Sequence, residues 1–470
     1  MIHNKISDMF KKEVYIERRK KVAEKVGSGV ILFLGNVEAP LNYPDNSYYW
    51  RQDSNFAYFF GLQCQGLAGV IDIESGENII FGTEITIDDI IWGGPQKSLK
   101  ERSESVGIDI VKDYSELSTF LKNAVKSGRR VHYLPAYRGE HFLELSKLLS
   151  LKTCVINEYV SRDLIKAVVS LREIKSDIEI VEIERAEDIA YEMQTTAMKM
   201  AKSGVYEYEI AGALEGITLK HNGHLSFHSI ISINGQTLHN HTHNNVLTKG
   251  RMLVVDAGAE TDTLYASDIT RSIPVDGKFD SRQRDIYEIV LAANLKGIEG
   301  IKPGINNVEN HIASVTTLLE GLKGLGMVKG DPLDAVMNGV GALFMPHGLG
   351  HQMGMDVHDM EGLGEDNVGY DENLKRSTIP GIKSLRMGKQ LKVGHVFTVE
   401  PGCYFIPAWY DIWRKENRCA DFINYDKVAE YLDFGGIRIE DDILVTENGH
   451  RVLGKPIPKT VEEVEKACNE

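Results

Sequence analysis

Short apolar runs alternate with polar stretches through the first third of the chain. Val30-Ile31-Leu32-Phe33-Leu34, Gly69-Val70-Ile71-Asp72-Ile73, Asn78-Ile79-Ile80-Phe81 and Val131-His132-Tyr133-Leu134 are rich in branched residues, and their length predicts buried strands. Residues 114–125 and 141–149 carry apolar positions at helical spacing. This mixture predicts an α/β domain over residues 1–165.

A boundary follows. Ser176-Asp177-Ile178-Glu179 has the Ser-x-x-Glu form of a capping box. From there Ile180, Ile183, Ala186, Ile189, Ala190 and Met193 recur mostly every three or four residues, which predicts an amphipathic helix opening a second domain, 166–470. Beyond it, strand-like runs at 227–233, 252–257, 263–274, 395–399 and 436–446 are separated by helical patterns at 282–300 and 307–322. Without a regular βαβ rhythm the second domain reads as α+β. The charged stretch 414–430 reads as an exposed loop or helix.

Composition narrows the function classes. With 42% hydrophobic and 26% charged residues over 470 positions, the chain has material for two packed cores and is not a disordered one. Lys plus Arg number 53 against 68 acids, a net charge of −15, which disfavours nucleic acid or an anionic membrane as partner. No run reaches the ~18 apolar residues of a membrane span. The opening Met1-Ile2-His3-Asn4-Lys5 leads to Phe10-Lys11-Lys12-Glu13 with no apolar leader, so a cytoplasmic location is expected. Five scattered cysteines form no Cys-x-x-Cys pair, which argues against a disulfide framework or a thiolate zinc site.

Four acids interrupt or end β-like runs, where a carboxylate is costly. Asp256 follows Met252-Leu253-Val254-Val255. Asp268 lies in Tyr265-Ala266-Ser267-Asp268-Ile269. Glu400 ends Val396-Phe397-Thr398-Val399, and Glu440 follows Ile437-Arg438-Ile439. His351 closes the Gly-rich run Pro346-His347-Gly348-Leu349-Gly350-His351, with His358 seven residues on. Taken singly, each acid reads as a strand-end residue or the partner of Arg271 or Arg438. Taken together, four carboxylates and an imidazole form a hard-ligand set suited to two divalent cations.

These pieces, with Val357-His358-Asp359, Thr398-Val399-Glu400-Pro401-Gly402 and Gly436-Ile437-Arg438-Ile439-Glu440-Asp441, resemble the proline-specific metallopeptidases of the pita-bread fold. That group holds prolidase, aminopeptidase P, creatinase and methionine aminopeptidase. Trp50-Arg51-Gln52-Asp53-Ser54-Asn55-Phe56 resembles the amino-terminal domain of prolidase and aminopeptidase P. The resemblance implies a pita-bread catalytic domain behind a smaller creatinase-like domain. It also implies a dinuclear centre, with Asp268 and Glu440 bridging, Asp256 completing one site, and His351 with Glu400 the other. Mn2+ is the expected ion, with Co2+ or Zn2+ as alternatives. Glu400 is expected to carry the proton, and His239 and His358 to contact substrate. His347 is read as a substrate-side or supporting residue. Arg438 is read as partner to a ligand or a substrate carboxylate, or as a structural ion pair. His241 and His243 read as ordinary loop histidines.

The insertion 361–394, containing Pro380-Gly381-Ile382-Lys383-Ser384-Leu385-Arg386, resembles that of eukaryotic-type prolidase, where the arginine matching Arg386 binds the proline carboxylate. The reading therefore leans to an Xaa-Pro dipeptidase, with an Xaa-Pro aminopeptidase as the alternative and a non-catalytic binding member of the fold behind both. The expected partners are small peptides with proline in second place and, from the resemblance, a second copy of the chain. The aromatic stretch 43–50 reads as core.

Overall fold

The computed structural model describes residues 9–470; the opening residues on which the leader reading partly rests lie outside this range. The chain divides into two compact units, Met1–Arg172 and Glu173–Glu470. The helix Arg162–Arg172 runs across the expected boundary at 165, because Leu164, Ile165, Val168 and Val169 continue its buried face, and the division falls at its end.

In the first unit the four predicted strands and an unpredicted fifth, Ile110–Asp113, form one five-stranded sheet. Val30–Leu34 lies between Ala68–Asp72, antiparallel, and Val131–His132, parallel; Asn78–Gly82 and Ile110–Asp113 extend the other edge. The helices Leu117–Lys126 and Gly139–Leu149 close a core with this sheet through Leu117, Leu121, Leu145 and Leu148. The Arg51-Gln52-Asp53 run has a structural job here. Gln52 is fully buried and uses its whole amide: Oε1 accepts from the Asn36 and Asp53 amides, and Nε2 donates to the Leu62 and Cys64 carbonyls. Asp53 then caps the helix Ser54–Phe60 by accepting from the Phe56 amide at 2.9 Å. The expectation that residues 43–50 are core is not met. Tyr43, Tyr48 and Tyr49 are exposed, on and after a short hairpin of Pro40–Tyr43 with Asn46–Ser47, whose ladder has no apolar face to bury.

The second unit carries the predicted capping box: the Ser176 hydroxyl and Glu179 carboxylate close the first turn of the helix Asp177–Met200. That helix packs on a three-stranded antiparallel sheet with Met252–Ala257 in the centre, between Ile230–Ser232 and Ile269–Pro274. The helix pair Ser281–Glu299 and Asn307–Gly324 packs together, and the former packs on the second group of strands, Val396–Val399, Gly402–Tyr404 and Gly436–Arg438. Helices gathered on antiparallel strands make the unit α+β. Two predicted strands are shorter than expected. The run 263–274 is extended only over Ile269–Pro274, because Leu264 sits at φ 68 in a turn. The run 436–446 breaks at Ile439 and Glu440, and its halves join different sheets, one pairing with Gly402–Tyr404 and the other with Val396–Val399. The stretch 414–430 holds the end of the helix Pro407–Lys415 and a short helix Tyr425–Ala429. Among the described residues no helix is long and apolar enough to cross a membrane.

Candidate active site

These breaks in the strands set the site. Asp256 is the penultimate residue of the central strand, opposite Thr270. Asp268 stands one residue before the strand that pairs with it, with its amide donating to Asp442 Oδ2 at 2.9 Å. Glu440 lies in the gap between two sheets, and Glu400 directly follows Val396–Val399. Two glycines allow the strands to come together. A Cβ on Gly258 would lie 1.8 Å from the Ser267 carbonyl oxygen, and one on Gly350 would lie 1.8 Å from that of Thr398. Neither position has room for a side chain, so the segments carrying Asp268 and His351 can close on their neighbours.

The result is one cavity of about 470 Å³. Asp256, Asp268, His351, Glu400 and Glu440 line it, and so do His239, His347, His358, Arg386 and Arg438. The ten residues assigned to metal, proton transfer or substrate from the sequence therefore line the same cavity. Ligand atoms of Asp268, His351 and Glu440 lie within 4.8 Å of one another. His351 Nε2 is 3.3 Å from Asp268 Oδ2 and 3.9 Å from Glu400 Oε1.

The electrostatics of this cluster are out of balance. Burial, then Asp256, raise Asp268 well above the usual carboxylate range, and burial followed by Asp268 and Glu400 does the same to Glu440. Glu400 is pushed up to about 7 by burial, although His351 and Arg438 favour its charge. Arg438 is the cation at the centre. Its Nη2 lies 2.5 Å from Asp256 Oδ2, its Nη1 donates to the Tyr404 hydroxyl at 2.8 Å, and its Nε donates to Thr270 Oγ1 at 3.1 Å. One guanidinium cannot neutralise four carboxylates, and Asp256 Oδ1 is buried with no hydrogen-bond partner among the described residues.

The donor set fits divalent metal. His351 Nδ1 lies 3.1 Å from the Gln352 carbonyl, which can only accept, so Nδ1 carries the proton and the Nε2 lone pair faces the acid cluster, open to a cation. Thr270 Oγ1 donates to Glu440 Oε2 at 2.6 Å, orienting that carboxylate from behind. Oxygen donors with one imidazole suit hard to borderline divalent cations.

Three of the other histidines are held neutral by burial. His347 is pushed down to about 3, chiefly by burial and then by Arg438. Its Nδ1 faces the Gly348 carbonyl at 2.8 Å, so its Nε2 accepts from the Tyr404 hydroxyl at 2.9 Å. Burial lowers His239 and His358 as well, helped by Arg438 and His351 respectively.

A model of metallopeptidase family M24 matches residues 181–447, more than half of the chain. The chain belongs to that family. The aminopeptidase P amino-terminal domain matches residues 15–133, the sheet-bearing part of the first unit. The chain is 32% identical over 460 residues to the Xaa-Pro dipeptidase of Homo sapiens, spanning 96% of this chain and 90% of that protein. It is 30% identical over 464 residues to a probable Xaa-Pro aminopeptidase PEPP of Uncinocarpus reesii, spanning 95% and 91%. Its fold is similar to Pseudomonas aeruginosa aminopeptidase PepP, with a TM-score of 0.81 and 27% identity over 98% of both chains. Zn-substituted Escherichia coli aminopeptidase P in complex with product gives 0.79, again at 27% identity and 98% coverage of both. The α+β unit described above is thus the M24 pita-bread domain, and the protein is a metallopeptidase by family.

Within this M24 site the sequence reading missed three groups. His228 and His241 also line the cavity, their rings 5.6 Å apart. Tyr404 is buried between His347 and Arg438. The signal for it was present: Glu400, Gly402 and Tyr404 recur with the strand period of two.

Proposed function

We propose that this M24 enzyme hydrolyses the peptide bond preceding proline, with Xaa-Pro dipeptides as preferred substrates. The observation that carries this reading is Arg386, a permanent cation on the wall of the same cavity as the acid and imidazole cluster. A dipeptide ending in proline places its carboxylate beside its scissile bond, and a guanidinium is the group suited to receive it. Relatives named Xaa-Pro dipeptidase support the reading. Those named aminopeptidase support the second one, release of the residue before proline from longer peptides.

We assign two divalent cations to Asp256, Asp268, His351, Glu400 and Glu440, with Asp268 and Glu440 shared, and Mn2+ ahead of Co2+ or Zn2+. Bound there, such cations acidify water and polarise a carbonyl. The protein's own groups supply the rest. Glu400, at the edge of the acid cluster, is the group placed to take up a proton and hand it on, and the prolyl nitrogen needs one as it leaves. That nitrogen belongs to a tertiary amide with no N–H, so recognition falls on carbonyl and carboxylate oxygens. His239 and His358, both held neutral, serve as hydrogen-bond partners for these oxygens. His347 and Arg438 brace the site through Tyr404, and Arg438 holds Asp256 by charge.

We also assign a homodimer in the cytoplasm acting on small peptides, with neither nucleic acid nor membrane as partner. The helix Ile87–Gly93 buries none of its residues and exposes Ile87, Ile91 and Trp92, an apolar face suited to cover by a second copy. Five free cysteines suit a reducing compartment, and the net charge of −15 repels phosphate backbones.

A length series tests the substrate class: Ala-Pro against Ala-Pro-Ala and longer peptides, with Mn2+, Co2+ and Zn2+ each defined. Arg386→Ala should lower kcat/KM on Ala-Pro roughly 10- to 150-fold more than on Ala-Pro-Ala, the value of a charge-assisted contact. An equal fall on both lengths would move the aminopeptidase reading ahead.

A further inference from the structure

Arg386 has a carboxylate of the protein's own beside it. Its Nε lies 3.4 Å from Glu361 Oε1 and 3.8 Å from Glu365 Oε1, and its Nη1 lies against the His358 ring, 2.6 Å from Nδ1 and 3.0 Å from Nε2. Glu361 reaches the same ring with its other oxygen, 3.0 Å from Nδ1. One carboxylate therefore touches two of the groups assigned to face the substrate, Arg386 and His358.

The two acids differ. Glu365 accepts from Arg376 Nη2 at 2.8 Å, so its charge is answered outside the cavity. Glu361 has only Arg386 and His358, and its buried Oε1 accepts no hydrogen bond among the described residues. At 3.4 Å its approach to Nε is an ion contact, too loose to displace the guanidinium's outer fork. Glu361 is kept there by the chain itself. Met360 adopts φ 63, and the Glu361 amide donates to the His358 carbonyl at 3.3 Å, a closed turn that points the acid back at the imidazole.

We propose that Glu361 is an internal counter-carboxylate that weakens the grip of Arg386 on a substrate carboxylate, and so sets the preference between Xaa-Pro dipeptides and longer peptides. This rests on the reading of Arg386 as the partner of the proline carboxylate. Two carboxylates on one guanidinium repel each other in a half-buried site, where screening is incomplete. A tripeptide carries its terminal charge one residue further out, and Glu361 opposes it less. Free proline, the product of dipeptide cleavage, presents the same carboxylate, so Glu361 also favours its release.

Glu361→Gln keeps the shape and removes the charge. It should lower KM for Ala-Pro about three- to tenfold relative to KM for Ala-Pro-Ala, the scale of one partly screened charge contact. The inhibition constant of free proline should fall in parallel, while the ratio of kcat values on the two peptides moves little. Glu361→Ala should act in the same direction, since the charge is removed in both. In an Arg386→Ala background the effect should vanish. A KM ratio that is unchanged or moves the other way overturns the proposal, as does an effect that persists without Arg386. Failure of the dipeptidase reading has a separate signature, Arg386→Ala alone lowering both lengths equally.

Discussion

Glu440 and Asp441 are neighbours in sequence, both buried, and electrostatically opposite. Asp441 lies 2.8 Å from Arg271 Nη2 and 2.7 Å from Lys459 Nζ. Burial alone would raise its carboxyl, but these two cations outweigh burial and hold it at about 2. Glu440 shares Arg438 with three other acids and is driven the other way. The same contrast separates whole clusters. Lys175 pairs with Asp359 at 2.8 Å, and Glu173 with Lys389 at 2.5 Å and Lys392 at 3.0 Å, acid matched to base. In the cavity four acids share Arg438, while the second arginine, Arg386, is turned to Glu361 and His358. A buried acid is therefore no sign of function by itself. A deficit of buried positive charge at an open cavity points further, because such acids must either hold protons or hold cations from outside the protein.

The strongest way to break this comparison is to remove a carboxylate assigned to both ions. Asp268→Ala or Glu440→Ala should take bound metal from two ions per chain to none, measured by elemental analysis of purified protein. Full occupancy in either variant would end the bridging assignment. Glu400→Gln comes next. It removes the titrating group at constant size, and turnover should fall on the order of 10²–10⁴-fold. Near-normal turnover with metal bound would remove Glu400 from proton transfer.

Stability should separate the two clusters with smaller effects. Arg271→Met strands the Asp441 charge beside Lys459 and should cost about 3–5 kcal/mol in urea unfolding. Asp268→Asn in metal-free protein should cost nothing or stabilise, since it relieves a crowd of like charges. A large loss there would erase the distinction between matched and unmatched clusters. The smallest effect is one of pH. Glu400 has its folded pKa raised to about 7, so its contribution is complete below the unfolded value of about 4.3 and is lost as pH climbs toward 7. Asp441 is lowered to about 2, so its contribution is present above about 3.9 and lost as pH falls toward 2. The Glu400 contribution should thus cost metal-free protein on the order of 1–3 kcal/mol between pH 4–5 and pH 7, read as the difference between wild type and Glu400→Gln, because His347, held down at about 3, acts in the opposite direction. Divalent cations should flatten that decline. Urea midpoints across pH 4–8, with and without chelator, measure it.

Much of this was legible in one dimension. The strand Val30–Leu34 and the capped helix Asp177–Met200 follow from local pattern, because burial on two faces needs an unbroken apolar run and a helix start needs its cap. The ligand candidates were visible for a related reason, as acids sitting where apolar residues belong. What misled was length. A strand-like run of twelve residues at 263–274 contains a turn that no periodicity marks, and the aromatic stretch 43–50 has strand composition without a surface to cover it.

The sequence by itself determined which residue types stand where burial makes them costly, and through their order it determined the family. It also determined the caps and apolar faces that build each unit, since these depend on neighbours within a few residues. Only the tertiary structure decided that Asp441 is matched while Glu440 is not, because Arg271 and Lys459 reach Asp441 from 170 and 18 positions away. Only it decided that Tyr404 ties His347 to Arg438, and that Glu361 lies between His358 and Arg386. Charge balance in a buried site is a sum over whatever the fold brings within a few ångströms, and spacing along the chain carries no term for it.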